Sequence, residues 1–358
     1  MINKRNRYRL CTWMLALWLL VPALIHAQVE QRYVRQVDTL ITSADIFEGD
    51  APMKITLTLD IKRYQKEKYK GEYMPVHFLY EINDSVAVVK DMRMKARGNF
   101  RRSHCNMAPF WLNIAEANIQ NVELQDIKRI KVVTNCKGST AYNDYVLKEF
   151  LAYKIYNILT PVSFRVRLVE MRYVDTGRKN KASEGWAFLI EPEELLAERV
   201  GATVIKRDNL PMSLMKPADM DLTALFLYMI GNSDYSVTGR HNIKILGMPG
   251  FGTQGYTPVP YDFDYAGIVN AYYAIPGDNL GIKSVTERYY LGPCSEESVL
   301  RPVIEQINQH REDILTMVND FEYLDLKKRK QVINYIEEYF DMAERVDLLV
   351  NDVERTCR

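Results

Sequence analysis

The sequence predicts an α+β protein with a strand-rich first half and a helix-rich second half. Three observations support this fold class. Apolar and polar residues alternate over much of residues 53–100, apolar residues at helical spacing follow Ser139, and two long amphipathic segments occupy the chain from Ser295 onward. No internal repeat or long linker divides the sequence, so we expect one α+β arrangement in two lobes.

The composition excludes two classes of protein. The 358 residues include 47 Lys plus Arg and 46 Asp plus Glu, and 47% of them are hydrophobic. A disordered chain combines low hydrophobicity with high net charge, so this chain is expected to be globular. A protein that neutralises many phosphates of a nucleic acid usually carries a basic excess, so we expect no nucleic-acid partner.

The first 27 residues have the layout of a secretory signal peptide. Four basic residues and no acid lie in the first nine positions, an apolar run fills residues 10–25, and Ala27 offers a cleavage point. An uncleaved anchor is the alternative, but Pro22 interrupts a run that is short for a membrane span of about 20 residues. Cleavage leaves 43 basic and 46 acidic residues, a net charge of −3. We expect an exported protein, in the periplasm, on the cell surface or outside the cell, with no membrane span after cleavage.

Four cysteines remain beyond that segment, and an even number in an exported protein permits two disulfides in three possible pairings. Proximity in sequence favours Cys105–Cys136 and Cys294–Cys357. A zinc site is the alternative. It is disfavoured because the sequence has no Cys-x-x-Cys and no histidine pair four residues apart.

The first half is predicted to begin with strands at MKITLTLDIK, MPVHFLYEI and SVAVVKDMRMKARG. The charged segment KRYQKEKYKGEY predicts a solvated loop or a sheet edge. A long helix is expected from an N-cap at Ser139 to a stop at Pro161. Two more strands, SFRVRLVEMRYVDT and GWAFLIE, flank the polar turn GRKNKASEG.

The second half is predicted to contain a helix at EPEELLAERV and a buried helix at DMDLTALFLYMIG. The segments HNIKIL and YTPVPYDFD read as two strands. Their connector, GFGTQG, matches the dinucleotide fingerprint formally, but it joins two strands and is therefore a hairpin connector. Two long amphipathic helices are expected at the end, in VLRPVIEQINQHREDILTMV and KKRKQVINYIEEYFDMAERVDLLVNDV.

The strongest group of chemically capable residues lies between Asn232 and Asp264. Asn232 and Asp234 follow the buried helix, Asn242 begins a strand, and Asp262 and Asp264 end its partner. A hairpin would bring three carboxylates and one amide oxygen together, which requires a compensating cation, and oxygen ligands favour Mg²⁺ or Mn²⁺. Phosphoryl transfer uses such a set: one Asp takes the hydroxyl proton, and an Asp and an Asn hold the metal. Alternatively, these residues form ordinary turns.

A glycine turn with flanking cations is a possible complement to these acids, since it suits a polyphosphate. It contains Lys95, Arg97, Gly98, Asn99, Arg101 and Arg102. A charged hairpin tip is the alternative reading. Glu149, on the long helix, could pair with a basic residue from the strands and orient it, or lie at the polar margin of its helix.

At these residues the sequence resembles the CotH kinase family, the spore-coat-protein-H-like group of atypical protein kinases. The similarity covers about residues 90–275. In order, it comprises the RGN turn at 97–99, the helix with Glu149, the strand ending at Glu191, the N-x-D segment, Asn242 and the DFD segment. It implies a bilobal atypical protein-kinase-like fold with a strand-rich N-lobe and a helical C-lobe, which binds ATP with Mg²⁺ or Mn²⁺.

The resemblance and the signal-peptide layout together predict a division of the chain. A signal peptide is expected at residues 1–27 and an N-terminal β extension at residues 28–90. The kinase-like core is expected at residues 91–294, with the N-lobe ending at about 190 and the C-lobe starting at about 191. Residues 295–358 are expected to form helices that pack on the C-lobe.

Roles are carried over to matching positions. Asp234 looks like the catalytic aspartate, and Asn232 lies beside it in sequence. Asn242 looks like the metal-binding asparagine. Asp262 looks like the metal-binding aspartate, and Asp264 looks like an accessory to it. Asp234 and Asn242 are eight residues apart rather than the five of the H-R-D-x-x-x-x-N pattern, so three residues must loop out.

The remaining site residues are expected to contact nucleotide: Lys95, Arg97, Gly98, Asn99, Glu149 and Glu191. Gly98 and Asn99 would cover the phosphates, and Glu191 would lie near the nucleotide-binding hinge. The strand PFWLNI, after the RGN turn, contains Trp111 and no lysine. The cation that pairs with phosphate is therefore expected to be Lys95 or Arg97.

The leading hypothesis is a secreted kinase that transfers the γ-phosphoryl group of ATP to a Ser or Thr hydroxyl of a protein substrate. A catalytically inactive pseudokinase or surface binding module on the same fold is the alternative. A third possibility replaces the protein acceptor with a small molecule, a glycan or water.

Overall fold

The computed structural model describes residues 35–37, 46–114, 128–250 and 255–358. The predicted signal peptide and the first residues of the predicted β extension lie outside these ranges. Among the helices of the described ranges, none is both long enough and apolar enough to span a membrane. The described chain is a mixed α+β protein, as predicted.

Eight strands of the first half form one sheet in the order β1-β4-β3-β2-β7-β8-β6-β5. The strands are β1 Arg35–Val37, β2 Met53–Leu59, β3 Met74–Asn83, β4 Val86–Ala96, β5 Phe110–Asn113, β6 Arg129–Thr134, β7 Val166–Asp175 and β8 Lys181–Ile190. Because β4 also pairs with β5, strands β2 to β8 close into a ring. Two pairs, β1–β4 and β2–β7, are parallel, and the other pairs are antiparallel.

The alternation in β2 shows why these segments form strands. Met53, Ile55, Leu57 and Leu59 are buried, while the residues between them are exposed or half-buried. Successive side chains of a strand point to opposite faces, so this alternation places one apolar face inside the ring. The core within the ring is completed by aromatic and aliphatic residues of other strands, such as Phe78, Phe110 and Leu189.

The charged segment KRYQKEKYKGEY differs from the prediction, because part of it is helical. Helix α1 spans Ile61–Glu67, and the Asp60 side chain caps it by accepting the Arg63 N–H at 2.8 Å. Tyr64 is fully buried and its hydroxyl donates to the Ala108 carbonyl. The cap and the buried Tyr64 side chain hold this helix in place. Lys68, which follows it, is buried and donates to the Cys105 carbonyl at 2.8 Å.

Helix α2 spans Phe100–His104, directly after the RGN turn, and helix α3 spans Thr140–Leu159. Ser139 is the N-cap residue of α3 and the helix ends before Pro161, both as predicted. Twelve of the twenty residues of α3 are buried, so its apolar character is not confined to one face. This helix packs against β7 and β8 and carries Glu149 into the interior.

The second half contains helices α4 (Glu193–Arg199) and α5 (Pro217–Met229) and a three-stranded antiparallel sheet. Its strands are β9 Thr203–Val204, β10 Ile243–Gly247 and β11 Tyr256–Pro260. The β10–β11 pairing confirms the predicted hairpin, although part of its connector lies outside the described residues.

The C-terminal region forms four helices rather than the two predicted. They are α6 Glu297–Gln309, α7 Arg311–Asn319, α8 Leu326–Ala343 and α9 Val346–Glu354. The first predicted helix is interrupted at His310 and the second at Arg345, where the backbone leaves helical dihedrals. Apolar residues keep helical spacing on both sides of each break, so periodicity alone does not reveal where the chain bends to bury both halves.

A second hydrophobic core joins these helices to α3, α5 and the small sheet, separately from the core within the ring. The predicted domain boundary at residue 90 falls inside β4, and β2–β4 belong to the same ring as β5–β8. The division into an extension and a kinase-like core stays a prediction.

Both predicted disulfides are present. Cys105–Cys136 joins the residue after α2 to the loop before α3, and Cys294–Cys357 joins the C-terminus to the segment before α6. Each bond restricts the unfolded chain and so favours the folded state.

Candidate functional site

The chain turns sharply where α5 ends, and this turn presents the N-x-D segment. Gly231 has φ +67°, and a Cβ there would collide with the Tyr335 hydroxyl. Beyond it, the Asn232 side-chain oxygen accepts the Asp234 N–H at 2.9 Å. Asn232 is buried and therefore fixes the backbone of Asp234 rather than facing solvent.

The Asp234 carboxylate is held by two neighbours and remains accessible. His241 Nε2 lies 2.9 Å from its Oδ1, and Asn242 Nδ2 donates to its Oδ2 at 3.0 Å and to the Asp234 carbonyl at 2.8 Å. The Asp234 side chain is 40% exposed. An oriented and accessible carboxylate is suited to accept a proton from a second molecule.

The eight-residue spacing between Asp234 and Asn242 is accommodated by a small hairpin. Ser236 and His241 exchange both backbone hydrogen bonds, at 2.9 and 3.0 Å, so the residues between them loop out as expected. Asn242 itself has φ +51°, a conformation that asparagine tolerates better than most residues.

The β10–β11 hairpin brings Asp262 beside Asn242, because the Tyr261 N–H donates to the Asn242 carbonyl at 3.0 Å. Asp262 has φ +65°, and its N–H donates to the Tyr153 hydroxyl at 2.8 Å. Its carboxylate lies 4.0 Å from the Arg97 guanidinium. The hairpin thus brings Asn242 and Asp262 together, as expected. The expected joining of Asp234 to Asp262 and Asp264 is not seen, because among the described residues the third acid of that cluster is Glu149.

A compact acidic cluster forms below Asp262. One carboxylate oxygen from each of Glu149, Asp262 and Asp264 lies within 4.8 Å of the others. Arg101 bridges two of these acids, with Nη2 2.6 Å from Glu149 and Nε 2.7 Å from Asp264. Glu149 thus pairs with a basic residue, but that residue lies on α2 and not on a strand, because the RGN turn leads directly into this helix.

Burial dominates the electrostatics of the cluster. It raises the pKa of Glu149 to about 8 and that of Asp264 to about 6, although Arg101 opposes both shifts. Burial alone would lower the pKa of Arg101, but Asp264 and Glu149 outweigh it and raise that pKa. Arg101 is the shared counter-charge of Glu149 and Asp264, and Asp262 lies 4.0 Å from Arg97. A cation bound at the cluster would favour the charged form of all three acids.

The donor set fits a hard divalent cation. Asp262 and Asp264 offer carboxylate oxygens, and Glu149 Oε1 is buried with no hydrogen-bond partner among the described residues. The Asn242 amide nitrogen donates to Asp234, so its amide oxygen is the atom that could act as a further metal ligand. All of these ligands are oxygens, as Mg²⁺ and Mn²⁺ prefer.

A cleft of about 640 Å³ adjoins this cluster. Five cationic residues line it: Arg97, Lys128, Arg129, Lys131 and Lys244. Two acids, Glu193 and Glu194, line it as well, and Glu193 pairs with Lys244 at 2.7 Å. The aromatic side chains of Tyr73, Trp111 and Tyr261 also line it. Cations next to aromatic faces suit a ligand that combines phosphate groups with a planar ring.

Lys131 is the site residue that sequence reasoning missed. It lies on β6 and pairs with Trp111 of β5. Strand β5 belongs to the segment PFWLNI, which follows the RGN turn and contains no lysine. Its Nζ lies 4.5 Å from the centre of the Tyr261 ring. Burial, together with the nearby charges of Arg97 and Lys244, lowers the pKa of Lys131 to about 7. The alternation in RIKVVT was the available signal, but only strand pairing shows that this lysine faces the cleft.

Of the residues in the predicted phosphate-binding turn, some line the cleft and others lie away from it. Arg97 lines the cleft, whereas Lys95, Gly98 and Asn99 do not. Gly98 has φ +82° and is exposed, as is Asn99 at the start of α2. Lys95 Nζ lies 5.1 Å from the Tyr73 ring centre, at the edge of the cleft.

The Glu191 carboxylate is fully buried between two arginines. Arg165 Nη2 lies 2.7 Å from Oε1, and Arg199 Nη2 lies 3.0 Å from Oε2. The residues that follow it, Pro192–Glu194, line the cleft. A contact between Glu191 and nucleotide stays a prediction, while its ion pairs join β7, β8 and α4.

We expect Glu191→Gln to lower the free energy of unfolding by about 3 kcal/mol, because both arginines lose their counter-charge. Urea denaturation measures this loss, with the exposed Glu198→Gln as control. A loss no larger than that of the control would show that the two ion pairs contribute no stability.

Comparisons with known proteins identify no family. No protein-family model matches the chain, and no curated protein matches it in sequence. A crystal structure of the Helicobacter pylori proinflammatory kinase CtkA is similar, with a TM-score of 0.41 and 9% sequence identity over 72% of this chain and 94% of that chain. Similarity at this level carries no argument, so the functional proposal rests on the side chains described above.

Proposed function

We propose that this protein is a metal-dependent kinase that transfers the γ-phosphoryl group of ATP to a Ser or Thr hydroxyl of a protein. The observation that carries the proposal is the closeness of Glu149, Asp262 and Asp264 beside a cleft lined by cations and aromatic rings. The two hydrophobic cores would correspond to two lobes. Export is part of the proposal, supported by the two disulfides.

Asp234 is the proposed general base. Its carboxylate accepts the proton of the acceptor hydroxyl, while His241 and Asn242 hold it in orientation. Its exposure exceeds that of Asp262 and Asp264, whose side chains are 31% and 10% exposed. Asp234 is therefore the acid that an external hydroxyl reaches most readily.

Asp262 and Asp264, with Glu149 and Asn242 as further oxygen donors, would hold Mg²⁺ or Mn²⁺. Such a cation neutralises charge on the nucleotide phosphates when bound. In the cleft, Arg97 and Lys131 are proposed to contact phosphate oxygens. Trp111 and Tyr261 line the same cleft and are proposed to contact the base.

A melting experiment tests nucleotide binding directly. We expect ATP with Mn²⁺ at 100 times its dissociation constant to stabilise the full chain by about 2.7 kcal/mol, seen as a higher melting temperature. ATP alone should stabilise it less, because the acidic cluster then repels the phosphates. No rise with either addition would contradict the proposal and favour the inactive binding module.

Lys131 gives a prediction for pH. Its pKa of about 7 means that it is largely neutral above that pH, whereas bound phosphate favours its charged form. Binding ADP should therefore take up a proton, and affinity should fall about tenfold or more between pH 7 and pH 9. In Lys131→Arg, which stays charged, this fall should be absent. Calorimetry in buffers of different ionisation enthalpy measures the uptake, and equal pH profiles for both proteins would remove Lys131 from the binding site.

A further inference from the structure

A second cavity, of about 750 Å³, lies between α1, the β7–β8 turn and the loop that carries Cys136. We call it the α1 cavity. Four cationic side chains line it, from Lys62, Lys137, Arg178 and Lys181. It shares no lining residue with the cleft beside Asp262. Its volume falls in the range of small-ligand sites, about 300–1,000 Å³.

Acids do not balance these cations. Only two of the lining residues are acidic, Asp175 and Glu184. Asp175 accepts the N–H groups of Ile61 at 3.1 Å and Gly177 at 3.0 Å, and Glu184 pairs with Arg172 at 3.0 Å. Both carboxylates are thus already engaged by other groups.

The lysines of the cavity carry the unbalanced charge. Among the described residues, Lys62, Lys137 and Lys181 have no carboxylate within ion-pair distance, and all three are exposed. Arg178 lies 3.8 Å from Asp175 and is 74% exposed. The cavity is therefore positively charged and open to an anion from solvent.

Tyr173 also lines the cavity, but it is 3% exposed and belongs to the core within the ring. Its hydroxyl is closed to solvent and has no hydrogen-bond partner in the part of the chain that the structure describes. The exposed cations are therefore the groups of this cavity that a ligand from solvent reaches.

The opposite wall is held in shape by covalent and hydrogen bonds. Cys136, with φ +41°, is disulfide-bonded to Cys105, and its carbonyl accepts the N–H groups of Asn106 at 2.9 Å and Met107 at 3.2 Å. This wall leads directly into Lys137. The lysine is thus carried by a fixed loop, which lowers the entropy lost when a ligand binds.

We propose that the α1 cavity binds a small ligand that carries a phosphate or sulfate group. Lys62, Lys137 and Lys181 would contact its oxygens as point charges, and Arg178 would add a planar donor. This proposal is independent of the proposed kinase activity, because the two sites have separate linings.

Calorimetric titration of the full, metal-free chain tests the proposal, with inorganic pyrophosphate and a sulfated disaccharide as probes. All proteins carry Lys131→Met, which weakens binding in the other cleft. Lys137→Gln with Lys181→Gln removes two cavity charges. Lys66→Gln with Lys70→Gln is the matched control, because both lysines are exposed and neither lines the cavity.

At low salt we expect at least one probe to bind, with affinity about tenfold or more lower in the cavity variant and within about twofold of the parent in the control. The probe that binds identifies phosphate or sulfate as the group recognised. The proposal is overturned if neither probe binds, or if the cavity variant and the control bind equally. If the parent chain binds a probe in the α1 cavity but shows no kinase activity, only the proposed function is contradicted.

Discussion

Asp234→Asn is expected to lower phosphoryl transfer by about 10²–10⁴-fold, the usual contribution of a general base. The amide cannot accept the hydroxyl proton, yet it keeps the shape of the carboxylate and can still contact His241 and Asn242. Transfer of labelled γ-phosphoryl from ATP to candidate acceptor proteins, with Mg²⁺ or Mn²⁺ present, measures the loss. ADP affinity should change little, because Asp234 does not line the cleft that is proposed to bind nucleotide.

The control for this variant is Asp278→Asn, which changes an exposed acid outside the site by the same atoms. It should transfer label at the parent rate. Equal incorporation by the parent and by Asp234→Asn would rule out the catalytic assignment. If incorporation is equal but ATP with Mn²⁺ still raises the melting temperature, the proposal of nucleotide binding stands and only the role of Asp234 is rejected.

Arg101→Met is expected to lower the free energy of unfolding by about 3–5 kcal/mol at pH 8. The substitution leaves Glu149 and Asp264 buried without their shared counter-charge. Because the pKa of Asp264 is about 6 and that of Glu149 about 8, the loss should shrink as pH falls from 8 to 5 and both acids become protonated. Urea denaturation across this pH range measures it.

Arg102→Met is the matched control, since Arg102 is the next residue of α2 and is less buried. It should change stability by no more than about 0.5 kcal/mol. The double variant Arg101→Met with Glu149→Gln should recover part of the loss, because it removes one uncompensated charge. A loss for Arg101→Met that is the same at pH 5 and pH 8 would show that packing, and not charge, accounts for its effect.

Secondary structure was largely predictable where one strong local signal prevailed. The alternation in β2 correctly predicted a strand, and the apolar spacing after Ser139 correctly predicted helix α3. The wrong predictions of secondary structure arose where a tertiary contact, and not a local pattern, determined the conformation. Tyr64 anchors a helix inside a charged segment, and the bends at His310 and Arg345 serve packing that is invisible in the apolar spacing.

Closure of the sheet was not predictable. It depends on β4 pairing with both β3 and β5, and on the parallel pairing of β2 with β7, which lie more than 100 residues apart. Local residue patterns contain no information on which distant strands become neighbours. For the same reason Lys131 was overlooked, since only its pairing with Trp111 places it at the cleft.

By itself the sequence determined the α+β class and the hairpin that brings Asn242 and Asp262 together, and it favoured both disulfide pairings among the three possible, because each depends on residues near one another in the chain. The tertiary structure alone decided that Arg101 compensates Glu149 and Asp264, and that Lys131 supplies a lysine to the cleft. The physical reason is burial. The low-dielectric interior makes a charge dependent on whichever distant side chain folding places beside it, and the order of residues does not specify that neighbour.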